Sequence, residues 1–333
     1  MAIQVYHEPL CRRYYASRAS CAYLFYAFTT FLLLSLPFFL AYTGVPAFWL
    51  RTATFREQPN VAYAYKLLLQ FDGVGLDGAP TQAFFSTVNS INALHDDALR
   101  VPVVRSAETD ANRDGLVDRL NVEALMPLLP GERVYSVTAL VLFDLRLERR
   151  ARVQTEAVAA VAHGSGVPGR ALWHDADLML RQRWPLRVRG GTDQLYADAP
   201  LLDAWPLARA SAREFGLPRL LATYRDRNVT TELANAYTVW SPAPAGGGVA
   251  PLDGSGATFN FSLTVRVPQQ DVLYTPTVSE TLKDGWVKYL AMFVVVYYLL
   301  DRLLAFAYYH QLVETAMHVE LPTSRWGAKT HYL

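Results

Sequence analysis

The stretch TFNFSLTVRV, residues 258–267, alternates without a break: Phe259, Phe261, Leu263, Val265 and Val267 fall on one face, Asn260, Ser262, Thr264 and Arg266 on the other. A period of two sends one face into a core and the other into water, so this segment reads as a half-buried strand. Working outward, comparable runs are Val61–Phe71, Leu99–Val104, Arg119–Met126, Val134–Leu147, Arg152–Val161, Ala176–Arg183 and Leu186–Val188. Turn signals punctuate them at Asp72-Gly73, Leu129-Pro130-Gly131, His163-Gly164-Ser165-Gly166 and Gly190-Gly191. The pattern predicts an antiparallel β-sandwich, jelly-roll-like or Ig-like. Helical exceptions are a turn or two at Val88–Leu94 and a short helix within Ala208–Arg227. The Pro- and Gly-rich stretch 241–257 reads as a flexible excursion within the domain.

On either side of the β region the chain turns apolar. From Ala19 to Leu50 there is no Asp, Glu, Lys, Arg or His, and Tyr23–Tyr42 is dense enough to cross about 30 Å of hydrocarbon as a helix. Pro37 should kink it. The apolar run exceeds the roughly 7–15 residues of a cleaved signal peptide, which favours an anchor. A second span covers Trp286–Phe306, with Trp286 and Lys288 suited to an interface. Asp301 and Arg302 interrupt its apolar run. They read either as a polar contact to a partner helix or, more simply, as residues at headgroup level. Arg12, Arg13 and Arg18 outweigh Glu8 before the first span, which predicts a cytoplasmic N-terminus. The organisation is then a cytoplasmic tail over 1–20, a span at 21–44, an extracellular or lumenal β-sandwich domain over 45–285, a span at 286–308 and a cytoplasmic tail over 309–333.

Composition agrees. The chain of 333 residues has 52% hydrophobic and only 18% charged residues, against about 25% charged in soluble domains. Its 31 basic and 30 acidic residues leave a net charge of +1, so there is no basic field for nucleic acid. The expected partner is the lipid bilayer. Cys11 and Cys21 are the only cysteines, so the β domain must be held by packing rather than disulfides.

The strongest chemical motif is Asp110-Ala-Asn112-Arg-Asp114-Gly115-Leu116-Val-Asp118. Side-chain oxygens at positions 1, 3, 5 and 9, Gly at 6 and a backbone carbonyl at 7 match the start of a calcium loop, making Ca2+ the candidate ion. Asn121 stands where an EF-hand supplies its bidentate Glu, so only a strand-flanked calcium loop fits; a plain Asp-Gly hairpin turn fits equally well. Asn228-Val229-Thr230 and Asn260-Phe261-Ser262 are glycosylation sequons, usable only outside the cytosol. His95-Asp96-Asp97 and His174-Asp175-Ala176-Asp177 lack a second metal-spaced histidine or a nucleophile, and read as surface turns. No catalytic motif supports an enzyme.

With topology and motifs placed, the chain resembles the transmembrane protein 231 family. The resemblance rests on Glu57-Gln58-Pro59, Leu99-Arg100-Val101-Pro102, the Asp110–Asp118 loop, Arg227-Asn228-Val229-Thr230-Thr231, and Trp286-Val287-Lys288-Tyr289 followed by Asp301-Arg302. It implies a non-enzymatic subunit of the Meckel syndrome complex at the ciliary transition zone. Its expected partners are B9-domain, tectonic-type and other transmembrane subunits. It also implies roles in the diffusion barrier at the ciliary base, in ciliogenesis and in controlling entry of membrane proteins. The competing reading is an accessory subunit of a membrane transporter, of the flippase-partner type; such ectodomains usually carry disulfides that this one cannot make.

Overall fold

Alternating side chains build most of this chain, and two uninterrupted apolar runs build the rest. The computed structural model describes residues 12–44, 48–188, 190–202, 217–243 and 257–319. Cys11, the segments 203–216 and 244–256, and the ends of both tails lie outside the described residues, and with them part of the expected helix within Ala208–Arg227 and most of the excursion at 241–257. The elements in chain order begin with β1 (Arg12–Tyr15), α1 (Cys21–Gly44), β2 (Ala53–Glu57), β3 (Asn60–Val74) and β4 (Pro80–Ser86). There follow α2 (Asn89–Asn92), β5 (Val103–Thr109), β6 (Arg119–Pro127), β7 (Arg133–Leu147) and β8 (Val153–Gln182). Then come β9 (Leu186–Arg187), β10 (Asp193–Gln194), α3 (Leu217–Arg225), β11 (Val229–Pro242), β12 (Thr258–Arg266), β13 (Gln270–Thr275), α4 (Val278–Tyr309) and β14 (Ala316–Val319). They form two compact units: Thr52–Pro276, and the flanking segments up to Arg51 and from Thr277.

In the β unit one sheet runs in the order β4-β3-β7-β8-β12-β6-β5, with β10 and β11 also pairing β8. Because β8 is 30 residues long, its first half pairs with β7 and its second half with β11 and β12. The sheet therefore folds over on itself. Phe71 of β3 packs edge-on against Phe259 of β12, ring centroids 5.2 Å apart, although the two strands are not neighbours in the sheet. Phe259, Phe261, Leu263 and Val265 are fully buried, as the alternation of residues 258–267 requires. Each such side chain contributes about 1.5–3 kcal/mol by leaving water. To the antiparallel expectation the structure adds parallel pairings of β12 and β10 with β8 and of β9 with β13. The expected turn at His163–Gly166 lies instead inside β8, beside an irregularity where its register with β7 shifts between Gly164 and Gly169. Glycine tolerates the irregularity, and at Gly169 it also makes room for Trp240, whose ring would lie 2.3 Å from an added Cβ.

In the other unit α1 and α4 pack against each other through small residues. Ala22, Thr29 and Ala41 on α1 and Val296 and Ala307 on α4 are buried, so the backbones approach closely, while Gly285 lies against Phe48 and Trp49. Tyr308 donates to the Ala22 carbonyl at 3.4 Å and Tyr289 to the Leu34 carbonyl at 3.5 Å, which fixes an antiparallel register. Both helices are long and apolar enough to cross a membrane, and their remaining surface is covered in large apolar side chains. α4 begins two turns ahead of Trp286, because Thr277 and Glu280 form a reciprocal capping box at its N-terminus. Beyond the other end, β1 and β14 pair antiparallel, so the two tails leave on the same side.

Candidate functional site

The most heavily bonded polar cluster is built around Arg227. α3 buries Leu220 and Tyr224, one turn apart, against Leu140, Leu142 and Val158. The helix then ends, and the Arg227 N–H turns back onto the Tyr224 carbonyl at 3.1 Å. Its guanidinium is buried 3.3 Å from a Glu156 carboxylate oxygen, donates to the Ala199 carbonyl at 2.5 Å and lies 4.7 Å over the Tyr196 ring. Glu156 also accepts from Lys66 Nζ at 3.1 Å and from the Leu201 N–H at 2.9 Å. Beside it the Thr231 hydroxyl accepts from the Val158 N–H, donates to the Val158 carbonyl and meets the Tyr224 hydroxyl, each at 2.9 Å. Burial raises the Tyr224 pKa and keeps that hydroxyl a donor. The network joins β3, β8, α3, β11 and the segment around Ala199. A cleft of about 640 Å³ opens next to it, between Val158 and Ala160 on one wall and Leu221, Tyr224 and Leu233 on the other. Arg181, held by Glu232 at 2.6 Å, and Arg183, donating to the Arg225 carbonyl at 2.6 Å, give the cleft a cationic rim. Among the described residues the outer edge of β11 has no strand partner, and Tyr237 and Val239 on that strand are exposed. Such a surface offers guanidinium donors, an apolar wall and backbone groups to a docking partner.

The Asp110–Asp118 segment is the hairpin between β5 and β6. Asp110 accepts from the Arg113 and Gly115 N–H groups at 2.6 and 2.9 Å, and Asp118 from Ala111 and Asn112 at 2.9 and 3.3 Å. Asn112 bonds Asp114 twice, and Asp114 accepts from the Leu116 N–H at 2.8 Å. Gly115 takes a positive φ of 86°, the turn that glycine makes without strain. The carboxylates are thus aimed at the loop's own backbone. Among the described residues no three His, Cys, Asp or Glu side chains gather closely enough to hold a metal ion. The side-chain bond from Gln58, at 2.9 Å, then the backbone N–H groups, hold the Asp118 carboxyl below its usual pKa.

Asn228 sits where α3 gives way to β11, its amide bonded to the Trp184 backbone N–H and carbonyl. Asn260 lies mid-strand on the outward face of β12, between β6 and β8, with its side-chain oxygen buried. His95 packs its ring on Phe84, centroids 4.4 Å apart. His174 is not on a turn but inside β8, 9% exposed, with Nδ1 2.8 Å from the Thr238 hydroxyl. Sequence reasoning noticed Arg227 and Glu57 as motif residues only. Glu57 is buried and accepts from the Glu148 and Arg149 N–H groups at 2.8 and 3.1 Å, closing the turn between β7 and β8.

Two membrane-crossing helices with a self-stapled β-sandwich between them in sequence define a membrane protein with a large β domain. The comparisons make this particular: the model of the family described as Transmembrane protein 231 matches residues 1–317, and the chain belongs to that family. Curated relatives named Transmembrane protein 231 include one from Mus musculus, 31% identical over 320 residues that cover 96% of this chain and 95% of that protein. One from Gallus gallus is 31% identical over 93% and 91% of the two chains, and one from Homo sapiens 30% identical over 94% and 93%.

Proposed function

We propose that this protein is a non-enzymatic scaffold subunit of the ciliary transition zone complex, contributing to the diffusion barrier between ciliary and plasma membrane and to ciliogenesis. The family match across residues 1–317 carries the reading. A domain tied together by internal networks such as that around Arg227 suits a part that holds a place rather than turns over a substrate. Its partners are the bilayer and the B9-domain, tectonic-type and other transmembrane subunits, with the cleft beside Arg227 a docking surface. Both tails lie in the cytoplasm and the β domain faces the lumen or the exterior. A tagged copy in ciliated cells tests this: a ring at the ciliary base supports it, and steady residence elsewhere with no ciliary pool overturns it.

In that topology Asn228, at a turn, is the sequon that receives a glycan, while Asn260 is sheltered inside the sheet. Asn228→Gln removes one endoglycosidase-sensitive mass step and Asn260→Gln removes none. The calcium reading of Asp110, Asn112, Asp114, Leu116 and Asp118 rests on their spacing. If it holds, Asp110→Ala with Asp114→Ala abolishes a calcium-dependent rise in melting temperature of the whole protein; equal melting with calcium and with chelator removes the ion.

A further inference from the structure

The charged pair near the end of α4 has a depth and a direction that the sequence did not supply. Tyr308, seven residues beyond Asp301, is level with Ala22 at the start of α1. The β1–β14 ribbon follows, and its open strand edges belong outside hydrocarbon. The membrane boundary therefore falls near Ala22 and Tyr308. At 1.5 Å per residue Asp301 lies about 10 Å inside it. Leu303 and Phe306 continue the apolar, outward-facing surface between the pair and that boundary.

Both charges are exposed on α4, away from its buried residues Gly285, Val296 and Ala307. Among the described residues Asp301 has no hydrogen bond or ion pair, and adjacent residues on a helix do not face each other, so Arg302 does not neutralise it within one chain. The Arg302 guanidinium lies 5.3 Å over the Tyr298 ring, one turn toward the bilayer centre rather than toward the nearer boundary. Two opposite charges thus stand in lipid at one depth, about 100° apart around the helix, flanked by the exposed Ala291, Val294, Tyr298 and Ala305.

We propose that this face binds the same face of a second copy, with Asp301 of each chain paired to Arg302 of the other. Two copies inserted in the same direction share a two-fold axis along the membrane normal. A residue on one side of the helix seam then meets its neighbour from the partner's opposite side, so one contact is repeated twice. A second copy supplies both complementary charges at the required depth, whereas a different helix would need its own anion and cation there. This inference rests on the crossing of the membrane and is independent of the ciliary reading.

The test is energy transfer between donor- and acceptor-labelled full-length protein in phosphatidylcholine vesicles, diluted with lipid. Asp301→Arg alone and Arg302→Asp alone each bring like charges together and weaken self-association by about tenfold or more. Mixing the two single variants restores transfer, because each then carries what the other lacks, and the double exchange Asp301→Arg with Arg302→Asp associates like the parent. Absence of transfer in the parent protein overturns the proposal. So does undiminished transfer in both single variants, failure of the mixed variants to recover, or association only when another membrane protein is added.

Discussion

Arg227 and Arg302 are both arginines beside a carboxylate in apolar surroundings, and the chain treats them in opposite ways. Around Arg227, residues distant in sequence converge: Glu156 on β8, Ala199 in a loop, and the rings of Tyr196 and Tyr224. Around Arg302 there is Tyr298 from its own helix. A buried charge surrounded by its own chain's donors and acceptors makes a fold specific to break, since removing one partner strands the other. A charge left open in lipid adds nothing to the single chain and becomes favourable only when a second surface arrives. The difference separates a residue kept for architecture from one kept for association.

The comparison is broken first at Arg227. Arg227→Ala leaves Glu156 with Lys66 as its one cation and lowers the stability of the full-length protein in detergent by about 3 kcal/mol, read from denaturant unfolding. A loss under about 1 kcal/mol would show that the cluster is ornamental. Thr231→Val keeps the shape and removes the hydroxyl that serves Val158 and Tyr224; the expected loss is about 2 kcal/mol. Acid should then act in two steps. Burial, with a contribution from His163, lowers the His174 pKa despite the opposing charge of Asp175. The unfolded chain therefore takes up its proton first, and stability is whole above the unfolded value of about 6.5 and declines as pH falls through the folded one. His174→Gln should flatten the melting temperature across that window. The depressed Asp118 adds a second decline only as pH falls below about 4, absent in Asp118→Asn. Smallest of all, Asp301→Leu leaves the melting temperature of the dilute, single-copy protein unchanged or slightly raised. A clear loss would mean that the carboxylate is satisfied within its own chain.

Local signals were legible and long-range ones were not. The apolar run after Ala19 and the alternation of 258–267 each follow from neighbouring residues, and both elements appear as read. Strands β1, β2, β4, β10, β11, β13 and β14 were missed. In β11 only Val229 is buried, and a register shift between Ala234 and Tyr237 breaks the period of two that a core-facing strand would show. Residues 163–169 carry turn chemistry, yet glycines that permit a turn equally permit the irregularity at which β8 shifts register against β7 between Gly164 and Gly169. The Asp110–Asp118 loop was visible because its partners lie within nine residues. The cluster around Arg227 was not, because Glu156 is 71 residues away and nothing in either neighbourhood names the other.

The place of β12 in the sheet has a consequence for how the protein is made. It fills the slot between β8 and β6, although it is synthesised after both. Until residue 266 has left the ribosome, two half-sheets carry raw edges with no strand to bridge them, and the pairing that closes them is non-local and slow. A chain cut anywhere before residue 258 would present those edges permanently, a substrate for quality control rather than a shortened but working part.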